Sequence, residues 1–106
     1  METENIYEKY YGKVVATRGY GSGVNVGRLV HFDPVGKVLI LTESYFCRNW
    51  EYDENKSHGS MASLSGGHIE VGGTITRIHY DSIIVDCAQI VICPDKVLEI
   101  CEKSAK

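Results

Sequence analysis

The sequence contains no apolar run that approaches the length needed to span a bilayer, so a membrane-crossing helix is not expected. It has no secretory signal pattern either. Met1–Lys9 is polar and acidic, which points to a cytosolic protein. No glycine-rich loop ends in Lys-Ser or Lys-Thr, so the phosphate cradle of that class of nucleotide hydrolases is missing. No Gly-x-Ser-x-Gly elbow stands between a strand and a helix. His31, His58, His68 and His79 never fall at metal-ligand spacing. Cys47, Cys87, Cys93 and Cys101 lack the two-residue spacing of a zinc knuckle or a redox pair. In a cytosolic chain they are expected as buried, reduced thiols that behave as small hydrophobes. Internal repeats, heptads and low-complexity linkers are also missing. These absences assign no catalytic residue, no metal and no cofactor, and they favour a binding protein over an enzyme.

The length of 106 residues suits a single domain, with residues 1–9 and 102–106 expected to be peripheral. Hydrophobic residues make up 43%, enough for a core. The formal net charge of -3, with arginines scattered along the chain, argues against a duplex nucleic-acid partner. It leaves room for a small anionic ligand met by local arginines.

Short β-like runs broken by glycine dominate the text. Lys13–Thr17 and Val24–Phe32 read as strands, and Gly27 inside the second marks a bulge or a close backbone approach. Asp33-Pro34-Val35-Gly36 reads as a turn, with Pro presetting φ and Gly accepting positive φ. Lys37–Thr42 is the hairpin partner, apolar enough to suggest burial on both faces. Ser44–Tyr52 alternates, placing Arg48, Trp50 and Tyr52 on one side. Met61–Leu64 allows one helical turn at most. Thr74–Tyr80, Ser82–Asp86 and Gln89–Cys93 are further strands, and Pro94 stops the last. Val97–Cys101 suits either a closing strand or a helical turn, followed by a frayed tail. The expected fold is all-β or mainly-β, a small barrel or sandwich of short antiparallel strands with at most one short helix.

The densest candidate site is Arg18-Gly19-Tyr20-Gly21-Ser22-Gly23-Val24. Its glycines cost conformational entropy beyond what one turn needs. They would let backbone amides converge on an anion, flanked by the Arg18 guanidinium and the Tyr20 ring. The same text also suits a flexible hairpin loop with a surface arginine. Arg48, Trp50 and Tyr52 offer a second candidate, with rings to stack on a base and a guanidinium to meet phosphate. A core Trp50 with half-buried neighbours would explain the same residues.

Arg18-x-Tyr20-x-x-Gly23-Val24-x-x-Gly27-x-Leu29, then Arg48-x-Trp50-x-Tyr52, then Ser63-Leu64-Ser65, resembles a family of small bacteriophage proteins of unknown function. The resemblance runs from about Gly12 to Ile100 and departs after Ser65, where Gly66-Gly67-His68 replaces a longer turn of helix. A phage origin implies the cytosol of a bacterial host. It leads us to expect a counter-defence protein that sequesters a small nucleotide-derived immune signal, without catalysis, as a symmetric homo-oligomer. Arg18 and Arg48 would meet phosphates, and Tyr20, Trp50 or Tyr52 would stack on a base. Gly21, Gly23 and Ser63 would supply hydrogen bonds. The alternatives are a protein-protein inhibitor of a host defence enzyme such as a CRISPR nuclease, or a virion structural or assembly protein.

Overall fold

The computed structural model describes residues 6–19, 21, 23–48 and 74–105. After a 3-10 turn at Glu8–Tyr10 come β1 (Val14–Gly19), β2 (Gly23–Asp33) and β3 (Val38–Arg48). Then follow β4 (Thr74–Arg77), β5 (Ser82–Ile84), β6 (Cys87–Ile92) and a helix, α1 (Asp95–Ser104). The strands form one six-stranded sheet in the order β4-β3-β2-β1-β6, with β5 pairing beside β4 along the same side of β3. Every pairing is antiparallel. The mainly-β antiparallel expectation therefore holds, with one short α-helix among the described residues. The sheet stays open rather than closing into a barrel, and β2 and β3 are longer than expected, at 11 residues each.

β2 and β3 form the hairpin read from the sequence, with Asp33 paired to Val38. The turn chemistry differs in one respect. Positive φ falls on Lys37, at 56°, and not on Gly36. Gly36 instead lies close to Asp33, where an added Cβ would stand 3.2 Å from Oδ2. Two bulges bend the hairpin. Between Val26 and Arg28 the register shifts because β3 carries an extra residue, with Glu43 at φ 48°. Gly27 sits opposite that bulge, where a Cβ would come within 2.8 Å of the Ser44 Cβ. The close approach expected at Gly27 is thus real. A second shift, between Leu29 and His31, places the extra residue on β2 and restores the balance.

Each face of the sheet carries its own core. Val14, Ala16, Val26, Tyr45, Cys47, Ile75 and Cys93 pack against Val97, Leu98 and Cys101 of α1. On the other face Val15, Leu29, Phe32, Leu39, Leu41, Ile84 and Cys87 cluster, with Tyr7, Tyr10 and Tyr11 half-buried against them. Each fully buried valine or leucine contributes about 1.5–3 kcal/mol. In the Lys37–Thr42 run only Leu39 and Leu41 are buried, while Val38, Ile40 and Thr42 are half-buried, so it alternates more than expected.

Two terminal segments are better anchored than the sequence suggested. Val97–Cys101 is helical, and the helix continues through Glu102 to Ser104 instead of fraying. Pro94 takes extended angles at its N-cap, Asp95 lies in the first turn and Lys103 in the last, as the helix dipole favours. Val97, Leu98 and Cys101 then fall on one stripe and bury it against the sheet. Near the start of the chain, the Tyr7 ring meets Phe32 edge-on at 4.8 Å.

All four cysteines are free and buried. Cys47 and Cys101 bring their Sγ atoms to 4.0 Å. Burial pushes the Cys93 thiol up to about 11. The Cys101 contact and burial raise Cys47 further. Among the described residues, no helix is long and apolar enough to cross a membrane.

Candidate functional site

β1 and β6 run side by side to the glycine-rich turn. Arg18 pairs with Val24 on one side and Gln89 on the other. One residue later the β1–β6 register shifts, with Gly19 opposite Cys87 and Ala88 as the extra residue. The backbones part at this bulge and leave an open cleft of about 540 Å³, lined by Arg18, Gly19, Ala88 and Gln89. Arg18 is exposed. Its guanidinium makes no ion pair or hydrogen bond among the described residues. Arg28 contrasts with it, because its guanidinium is committed to Glu43 at 2.9 Å and to the Gly12 carbonyl at 3.0 Å.

The glycines have separable roles. Gly21 N–H donates to Asp86 Oδ2 at 2.6 Å. The amide expected to meet a ligand anion therefore already meets a carboxylate. That bond ties the β1–β2 turn to the two-residue link between β5 and β6. Gly23 has φ 68°, and a Cβ there would stand 2.9 Å from the Phe46 ring. Both the angle and the crowding require glycine for structural reasons.

The register separates the two arginines. Arg18, Val24 and Cys47 are paired in sequence across β1, β2 and β3, so they share a face. Arg48 is the next residue along β3 and points to the opposite face. Arg18 and Arg48 therefore stand on opposite faces of the sheet. Arg48 is exposed at the end of its strand, opposite Thr74. Tyr20, Trp50, Tyr52 and Ser63 lie outside the described residues.

Two features escaped the reading of the sequence. Asp86 carried no signal, because its role depends on the β5–β6 link reaching the glycine turn in three dimensions. A second cleft of about 230 Å³ lies between β4 and the helix, lined by Tyr45, Arg77, His79, Glu102 and Ala105. Burial, and next the Glu102 carboxylate, push the Tyr45 hydroxyl above its ordinary value. This cleft was hidden because residues 102–106 were expected to fray. No group of three or more potential metal ligands occurs among the described residues. No family model matches the chain, and neither a curated protein nor a solved structure is similar to it.

Proposed function

We propose that the protein is a phage counter-defence factor that binds and sequesters a small nucleotide-derived signal, working as a symmetric homo-oligomer in the host cytosol. The observation that carries the reading is the Arg18 cleft. A guanidinium with no partner among the described residues lines a cavity of about 540 Å³, a volume in the range that small-molecule sites occupy. A guanidinium presents a fork of donors that fits phosphate. The Gln89 side chain supplies a neutral donor and acceptor on the other wall. The chemistry this cleft supports is recognition, since its described walls offer no nucleophile paired with a base.

Asp86 refines the reading. Its carboxylate shows that the glycine turn accepts an anionic oxygen on a backbone amide. It also means that a phosphate must bind beside that carboxylate, at Arg18, or displace it. The cheapest test is to purify the protein without denaturation and record its absorption at 260 nm, followed by native mass spectrometry. A bound species with nucleotide mass supports the proposal. A ligand-free protein that binds no member of a panel of cyclic dinucleotides, cyclic trinucleotides and cyclic ADP-ribose isomers refutes it.

One observation favours a second reading, inhibition of a host defence enzyme by direct contact. Tyr80, Ile83 and Val85 are 87%, 65% and 68% exposed along one short stretch around β5. Such an apolar run is unusual for a surface that meets only water. Capture of a host enzyme that is lost on Tyr80→Ser with Val85→Ser would put this reading first.

A further inference from the structure

The cleft between β4 and α1 is built by register. Tyr45 pairs with Arg77 across β3 and β4, and Cys47 pairs with Ile75 two residues away. Paired residues share a face, as do residues two apart on one strand. Tyr45, Cys47 and Ile75 belong to the core that α1 covers, so Arg77 is on the same side. Leu98 and Cys101 of α1 belong to that core too. Glu102 and Ala105 stand four residues further along the helix, so the same stripe carries them over Tyr45 and Arg77. Past the end of β4, the Ile78 N–H donates to the Ser44 carbonyl at 2.9 Å. That bond keeps the chain beside β3 and brings His79 to the cleft.

Its two walls carry opposite charge. Arg77 supplies a guanidinium fork from the sheet side, and His79 adds a ring nitrogen. Glu102 supplies a carboxylate from the helix side, where the last carbonyls of α1 add the negative end of the helix dipole. Lys103 is in the same turn but does not line the cleft. Among the described residues, neither Arg77 nor Glu102 forms an ion pair. Tyr45 is only 5% exposed, and its hydroxyl makes no hydrogen bond among the described residues. A buried tyrosine hydroxyl usually has a partner. Burial raises this hydroxyl, Glu102 raises it further and Arg77 lowers it, so both charges reach it.

We infer that this cleft is a second binding site, for a small zwitterion of the free α-amino-acid class: Arg77, His79 and the Tyr45 hydroxyl take the carboxylate, and Glu102 takes the ammonium. Charge sets the class. A lone anion would meet the Glu102 carboxylate, and a lone cation the Arg77 guanidinium. A ligand with both signs pairs with both walls. Size sets the limit. The cleft of about 230 Å³ is smaller than the about 300–1,000 Å³ of sites for drug-sized ligands, so it suits a ligand smaller than a nucleotide. At about 30 Å³ for each water in the liquid, that is the room of roughly seven waters, enough for an amino acid with a short side chain. The cleft shares no lining residue with the one at Arg18, and binding here does not depend on the nucleotide reading.

Saturation-transfer NMR on the full chain tests the site, with glycine, L-alanine, L-serine and L-threonine as probes and calorimetric titration of any that bind. Propionate and ethylamine serve as comparison ligands, because each keeps one of the two charges of alanine. At least one amino acid should bind, at least tenfold more tightly than either comparison ligand. Arg77→Ala and Glu102→Gln should each weaken it at least tenfold. Both side chains are exposed, so the thermal transition should stay in place. Arg77→Lys should recover part of the loss by restoring the charge without the fork. Should a variant fail to fold, the comparison ligands decide on the wild type. The assignment is overturned if none of the four amino acids binds, or if propionate or ethylamine binds as tightly as the amino acid. Unchanged affinity in a folded Arg77→Ala or Glu102→Gln protein overturns it as well.

Discussion

Asp86 holds the glycine turn from across the sheet: its Oδ2 accepts the Gly21 N–H at 2.6 Å, across 65 residues of chain. The contact links the β1–β2 turn to the β5–β6 link, next to the strand ends that line the Arg18 cleft. It places a negative charge beside the position proposed for a phosphate.

Neutralising that charge should strengthen anion binding. Asp86→Asn keeps a carbonyl oxygen for the Gly21 amide and removes the repulsion. Exposed charge pairs contribute about 0.2–1 kcal/mol, so affinity for a ligand that Arg18 holds should rise by up to roughly fivefold. Calorimetric titration of the two proteins measures it. Weaker binding by Asp86→Asn would place the ligand elsewhere or give the carboxylate a direct role in recognition.

Gly23→Ala should destabilise the fold by more than about 1 kcal/mol, because it combines positive φ with a side chain pressed into Phe46. Urea denaturation followed by tryptophan fluorescence reads the change. Gly23→Ala combined with Phe46→Leu should recover part of the loss, since it removes the ring but not the strained angle. No recovery would mean that the angle alone makes glycine necessary.

At Lys37 the expected sign is reversed. A lysine at φ 56° carries the left-handed penalty of about 1–2 kcal/mol, whereas glycine there loses roughly 0.5–1 kcal/mol of chain entropy. Lys37→Gly should therefore raise stability slightly, and Lys37→Val should lower it. A Lys37→Gly protein less stable than the wild type by denaturant midpoint would contradict the turn geometry.

The hairpin was legible in the sequence because its signals are local. Pro34, the β-branched runs and Gly27 each constrain their own neighbourhood. The helix at Asp95–Ser104 was not settled, because Val97–Cys101 is too short a run for period alone to separate strand from turn. Its fate depends on a sheet face that only the fold supplies. The site was legible in part for the same reason. Arg18 beside a glycine turn is a local pattern, and the structure gives it a cleft. Whether Arg18 and Arg48 share a face depends on strand register, and one residue of parity sends them to opposite faces. Asp86 and Gln89 reach the cleft only through the long-range β1–β6 pairing.

The thiols should be inert in the folded protein. Burial raises Cys87, and it raises Cys93 to about 11. Iodoacetamide at pH 8 should leave all four unmodified until denaturant is added, then modify all four, as read by intact mass. The raised values also set the sign of the pH dependence. The folded state keeps Cys93 protonated where the unfolded chain loses its proton. The stabilisation is complete below the ordinary value of 9.0 and is lost as pH rises from there towards about 11. Stability that climbs across that window would contradict the assignment.

Calorimetric titration of wild type and Arg18→Ala tests most directly whether Arg18 meets an anionic, nucleotide-derived ligand. The panel comprises cyclic dinucleotides, cyclic trinucleotides and cyclic ADP-ribose isomers. Arg18 is exposed and contributes nothing to either core, so the substitution should leave the thermal transition in place. Loss of a hydrogen bond to a charged group costs about 2 kcal/mol, which is roughly a thirtyfold drop in affinity. The wild type should bind at least one member of the panel, and Arg18→Ala should bind it about thirtyfold more weakly. A wild type that binds none of them, or an Arg18→Ala protein that binds as tightly as the wild type, would contradict it.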